Sequence, residues 1–110
     1  MSQIAIVAGP DPDGLGDALE AEGVTIHRIT GVVSLSTLQE AGLDEADLLV
    51  LTDIGEASGI PVAKENTPEI RVVVYSPKNL PDFVKGQADL AVDPELLDVS
   101  VVAEELAAEN

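Results

Sequence analysis

Leu48-Leu49-Val50-Leu51-Thr52, bounded by Asp47 and Asp53, is the stretch that decides the fold. It is apolar throughout instead of alternating, so a strand made from it buries both faces. That requirement is met in a parallel sheet covered by helices on each side. Ile4–Ala8 (IAIVA) and Ile70–Tyr75 (IRVVVY) have the same character, and Asp89–Val92 is a shorter version of it. Val24–Ile29 (VTIHRI) alternates, which predicts an edge strand with one wet face. The strands expected are therefore Ile4–Ala8, Val24–Ile29, Asp47–Thr52, Ile70–Tyr75 and Asp89–Val92.

Between these runs the apolar period becomes helical. Leu15, Ala18 and Leu19 share one face, Asp13 is placed to cap the start, and Gly23 to close the end. Ser36 with Gln39 reads as a capping box ahead of a short helix ended by Gly42. A third helix has its first turn at Ser58–Pro61 and runs to Asn66, because Pro61 is tolerated there and Pro68 forbids continuation. Pro81 opens a short helix ended by Gly86, and Asp93-Pro94 starts the last. Strand and helix alternate along the whole chain, which predicts an α/β fold over residues 1–110. Its core is a doubly wound five-stranded parallel sheet, order 2-1-3-4-5, with helices on both faces.

Composition narrows the function. The 110 residues carry 21 Asp and Glu against 5 Lys and Arg, a formal charge of −16. A nucleic-acid backbone needs a basic footprint, so nucleic acid is excluded as a partner, and anionic membrane surfaces with it. Hydrophobic residues make up 45% of the chain, too many for an acidic disordered segment. A dense carboxylate coat repels itself in dilute buffer and is relieved by salt, which points to a halophilic, cytoplasmic protein. Its melting temperature is expected to rise between dilute buffer and molar KCl. The absence of Cys removes thiol nucleophiles and thiolate metal sites. No apolar run approaches a membrane span, and no signal-peptide pattern is present, so membrane insertion is not expected.

The second half of the chain resembles the nucleotide-binding domain of TrkA-type potassium-uptake regulators, the RCK domains. The blocks that carry the resemblance are EAGLDEADLLVLTD at Glu40–Asp53, AKENTPEIRVVVY at Ala63–Tyr75 and QADLAVDPE at Gln87–Glu95. The resemblance implies a Rossmann-like module that senses an adenine nucleotide or NAD and acts through a homodimer or a partner that supplies the output. It also implies that Thr52, Asp53 and Glu56 face the ligand. The opening GPDPDGLGDAL and the acidic composition resemble a family of short haloarchaeal proteins sometimes labelled CTP synthetase. That label implies an enzyme or enzyme subunit of nucleotide metabolism. Neither a Cys nucleophile nor a Lys-Ser/Thr after Gly14 is present to support it.

On the residues themselves, the first loop is the best candidate site. Gly9, Asp11, Asp13, Gly14 and Gly16 leave the first strand at its carboxyl end, where open α/β sheets bind ligands. Their spacing is not GxGxxG, and the bland alternative is a connecting turn with a capped helix. Asp11, Asp13, Asp53 and Ser76 also resemble a response-regulator receiver. There, acids after strand one hold Mg²⁺ and an Asp after strand three accepts phosphate. A receiver has Lys before Pro after its last strand, where this chain has Asp93. His27, the sole histidine, lacks partners for a triad or metal site, and no catalytic residue is assigned. Three alternatives follow: a non-enzymatic sensing module, an enzyme using carboxylates and a metal at Asp11, Asp13 and Asp53, and a receiver-like phosphoacceptor.

Overall fold

Four buried strand residues in a row, Leu48 to Leu51, occupy the centre of the sheet, as their uninterrupted apolarity requires. The computed structural model describes residues 3–77, 82 and 86–108. In chain order the elements are β1 (Ile4–Ala8), α1 (Leu15–Ala21), β2 (Thr25–Ile29), α2 (Leu35–Glu40) and β3 (Leu48–Leu51). They continue with α3 (Gly59–Asn66), β4 (Arg71–Tyr75), β5 (Leu90–Val92) and α4 (Val99–Ala108), with short 3-10 turns at Leu43–Glu45 and Ile54–Glu56. The strands form one sheet in the order β2-β1-β3-β4-β5, every pair parallel. The expected flavodoxin-like order is the observed one.

The sheet divides two cores. On one face Ile6, Leu49, Leu51 and Val72 pack against Leu38 of α2 and Ile60 and Ala63 of α3. On the other, Ala5, Val7, Val50 and Val73 meet Leu15 and Leu19 of α1 and Val102 and Leu106 of α4. With two aromatic residues in the whole chain, the cores are aliphatic apart from Tyr75, which packs in the second. β2 is an edge strand with its outer residues exposed, as the alternation in VTIHRI predicts.

Two local expectations need correction. Ser34, not Ser36, caps α2: its hydroxyl accepts from the Thr37 N–H, and the Thr37 hydroxyl accepts from the Ser34 N–H. The helix starts earlier than Ser36 because Ser34-x-x-Thr37 closes the reciprocal pair two residues sooner. Asp93 caps a turn, its Oδ1 accepting from the Glu95 N–H, and α4 begins only at Val99, after Asp98. The short helix expected from Pro81 to Gly86 falls largely outside the described residues.

One polar pin joins the sheet's far edge. Asp89 Oδ2 accepts from the Val72 N–H at 2.7 Å and from Lys64 Nζ at 2.8 Å, while the same ammonium donates to the Ile70 carbonyl at 2.7 Å. Burial pushes the Asp89 carboxyl up, but the Lys64 and Val72 hydrogen bonds and the charges of Lys64 and Arg71 outweigh it, so it lies below its ordinary 3.8. A folded-state value below the unfolded one stabilises above the ordinary carboxyl range and is lost as pH falls through the lowered value. Asp89→Asn is therefore expected to cost about 1 kcal/mol at neutral pH. The gap from wild type should close in acid, measured by urea denaturation at a series of pH values.

Candidate functional site

In the order β2-β1-β3, the connections leaving β1 and β3 run to opposite sides of the sheet. The carboxyl ends of these two strands therefore bound the crevice where such folds bind ligands. Here that crevice is closed by direct packing. Thr52 donates both its N–H (3.0 Å) and its hydroxyl (3.2 Å) to the Ala8 carbonyl, tying β3 to β1 beyond the last strand residue. Gly9 follows at φ 105°, and a Cβ there would lie 2.6 Å from Thr52 Oγ1 and 2.9 Å from Asp53 Cβ. Only glycine fits both the backbone angle and the gap.

The loop beyond Gly9 is folded around Asp11. Its Oδ1 accepts from the Leu15 N–H at 2.9 Å and its Oδ2 from the Gly16 N–H at 2.7 Å. Asp11, not Asp13, therefore caps α1. The correction has a local cause: the Gly14 N–H donates to the Asp11 carbonyl, a turn around Pro12-Asp13 that leaves Asp13 on its outside. Arg28 at the end of β2 reaches over the capped end, pairing with Asp11 at 3.4 Å and Asp17 at 3.0 Å. Gly16 makes room for it, since a Cβ there would stand 2.7 Å from Arg28 Nη2. The amides that a pyrophosphate would use are thus occupied by the chain's own carboxylate.

On the β3 side, Asp53 Oδ1 accepts from the Gly55 N–H at 2.9 Å and caps the 3-10 turn, while its Oδ2 accepts no hydrogen bond among the described residues. Glu56 turns away from the crevice: its Oε1 accepts from the Val33 N–H at 2.6 Å, holding the β2–α2 connection over Gly59. Ser76 follows β4, is buried, and donates its N–H to the Val92 carbonyl. Beside it Tyr75 is buried, and burial followed by the negative charges of Asp13, Asp98 and Asp11 raises its phenol above the ordinary 10.0. The rim around the phenol is therefore negative.

Gly9, Thr52 and Asp53 are in contact, and Asp11, Gly14 and Gly16 share the α1 cap, but Glu56 and Ser76 serve other junctions. Among the described residues no group of three or more His, Asp or Glu side chains is placed to hold a metal ion. The carboxylate-and-metal enzyme loses the centre proposed for it. His27 is bound through Nδ1 to the Ala41 carbonyl at 2.6 Å. Arg28 is the site residue that sequence reasoning missed. Its signal is Gly16, a glycine inside a helix with no turn to make.

The model of a family described as a family of unknown function, DUF7126, matches residues 5–106. The chain belongs to that family. No curated protein matches the sequence. Solved structures similar to this DUF7126 chain include response regulators and putative pilus assembly proteins. An orphan response regulator of H. pylori has a TM-score of 0.75 at 15% identity, over 97% of this chain and 95% of that one. A response regulator from Thermotoga maritima has a TM-score of 0.72 at 17% identity, over 96% and 95%. One from Burkholderia pseudomallei, with a phosphorylated aspartic acid, a calcium ion and citrate, has a TM-score of 0.60 at 20% identity, over 98% and 72%.

At these identities the likeness is one of fold, and the fold is that of receiver domains. It overturns the TrkA-type and CTP synthetase resemblances, and with them the nucleotide-sensing reading, for which Asp11 supplies the physical reason. No helix among the described residues is long and apolar enough to cross a membrane.

Proposed function

We propose that this DUF7126 chain is a receiver-type regulatory module that works through protein contact, inside the cell, without taking up a phosphoryl group. The contact of Gly9 with Thr52 and Asp53 carries this reading. Directly after strand one, in the stretch where the receiver pattern places acids that hold Mg²⁺, the chain has Gly9, with no room for a side chain. Asp11, the next acid, is spent on the α1 cap. Asp93 before Pro94 supports the same conclusion, because it puts a negative charge where the pattern has lysine to neutralise the phosphoryl oxygens. A phosphoacceptor reading is favoured by the likeness to response regulators, one of them with a phosphorylated aspartic acid, and by Asp53 just after β3, whose Oδ2 accepts no hydrogen bond among the described residues.

Incubation with acetyl phosphate and MgCl₂ in molar KCl, followed by intact-mass measurement, separates the two. No phosphoryl adduct is expected. An adduct mapped to Asp53, and abolished in Asp53→Asn, would establish the phosphoacceptor instead.

A further inference from the structure

The turn joining β5 to α4 and the first turn of α4 expose large apolar side chains that neither core accounts for. Leu96 is 79% exposed, Leu97 46% and Val101 45%. The turn is tightly folded, not frayed: the Leu96 and Leu97 N–H groups both donate to the Asp93 carbonyl, and those of Val101 and Val102 to the Asp98 carbonyl. Three such side chains within six residues, held on a fixed backbone, are costly to leave in water.

Charge selects the occupant. No Lys or Arg occurs from Gly86 to Asn110, while Glu95, Asp98, Glu104 and Glu105 flank the three apolar side chains. A second copy of the chain would bring the same acids face to face, on top of a net charge of −16 per copy. An anionic membrane would be repelled likewise. A helix with one apolar face and basic flanks satisfies both features.

We propose that the Leu96-Leu97-Val101 face is the docking site for a basic amphipathic segment of a partner protein. The inference rests on the preceding reading only in taking protein contact as the output. Phosphorylation of Asp53 would overturn that reading and leave this one standing.

The test is titration of the full chain with a synthetic helical peptide bearing leucine at i, i+3 and i+4 positions and lysine elsewhere, followed by calorimetry and backbone NMR. Saturable binding is expected, with shifts concentrated between Glu95 and Glu105. Leu96→Ser/Leu97→Ser/Val101→Ser should weaken it about tenfold or more. Leu96→Ser alone, at the most exposed position, should weaken it in the same direction and guards against misfolding of the triple variant. Val32→Ser/Leu35→Ser, altered in the β2–α2 region, should bind like wild type.

A peptide of the same composition in scrambled order should bind at least about tenfold more weakly, in molar KCl as well, where bare charge attraction is screened. Equal binding of the scrambled peptide, shifts centred elsewhere, or full binding by the Leu96 variants overturns the proposal. So does a dimer, detected by sedimentation, that the triple variant abolishes, since it assigns the face to a second copy.

Discussion

Gly9→Ala is expected to destabilise the protein by about 3 kcal/mol, combining the positive-φ penalty with overpacking. In a chain of this size that lowers the melting temperature by roughly 15 °C. The added methyl would stand 2.6 Å from Thr52 Oγ1 and 2.9 Å from Asp53 Cβ, so the ends of β1 and β3 would have to part. The Thr52 hydrogen bonds to the Ala8 carbonyl would be strained with them. Gly14→Ala provides the comparison: φ there is 74°, with nothing within 4 Å of the added Cβ, so only the backbone penalty of about 1 kcal/mol applies. Thermal and urea denaturation in molar KCl read both. Equal losses in the two variants would mean that Gly9 is not packed as described.

Asp11→Ala is the second large effect, at about 2–3 kcal/mol, because two backbone N–H groups lose their acceptor at once. The side chain is only 7% exposed, so water replaces it poorly. Asp13→Ala should change stability by less than about 0.5 kcal/mol. Arg28→Ala should cost about as little as an exposed ion pair does, since the side chain is 39% exposed and its guanidinium lies 3.4 Å from Asp11. If Asp13→Ala proves the costlier of the two aspartate variants, the cap is assigned to the wrong residue.

The sheet was legible in the sequence because its information is local. IAIVA, LLVLT and RVVVY each demand burial on both faces, and the short Gly31–Ser36 connection leaves no room for a sixth strand. The choice between Asp11 and Asp13 was not legible. Both lie within capping reach of α1, and the decision belongs to the turn through Pro12 and Gly14 that brings one carboxylate under the helix.

The TrkA-type resemblance failed for a related reason. DLLVLTD and ADLAVDP describe buried parallel strands and the loops after them, which Rossmann sheets and receivers share. What overturns the resemblance is the likeness of the whole fold to response regulators, together with the Asp11 carboxylate seated on the Leu15 and Gly16 amides, a placement that no apolar pattern encodes. Leu96 and Leu97 were hidden by reading a helix from Asp93-Pro94. The helix begins at Val99, which leaves both leucines in an exposed turn.

The most direct measurement of the closed crevice is a backbone NMR titration with beryllofluoride and MgCl₂ in molar KCl, following the amides of Gly9, Thr52, Asp53 and Ser76. These signals are predicted to stay in place throughout. Saturable shifts at Gly9 and Asp53 that disappear in Asp53→Asn would show that an anion and its metal enter between β1 and β3, contradicting the account.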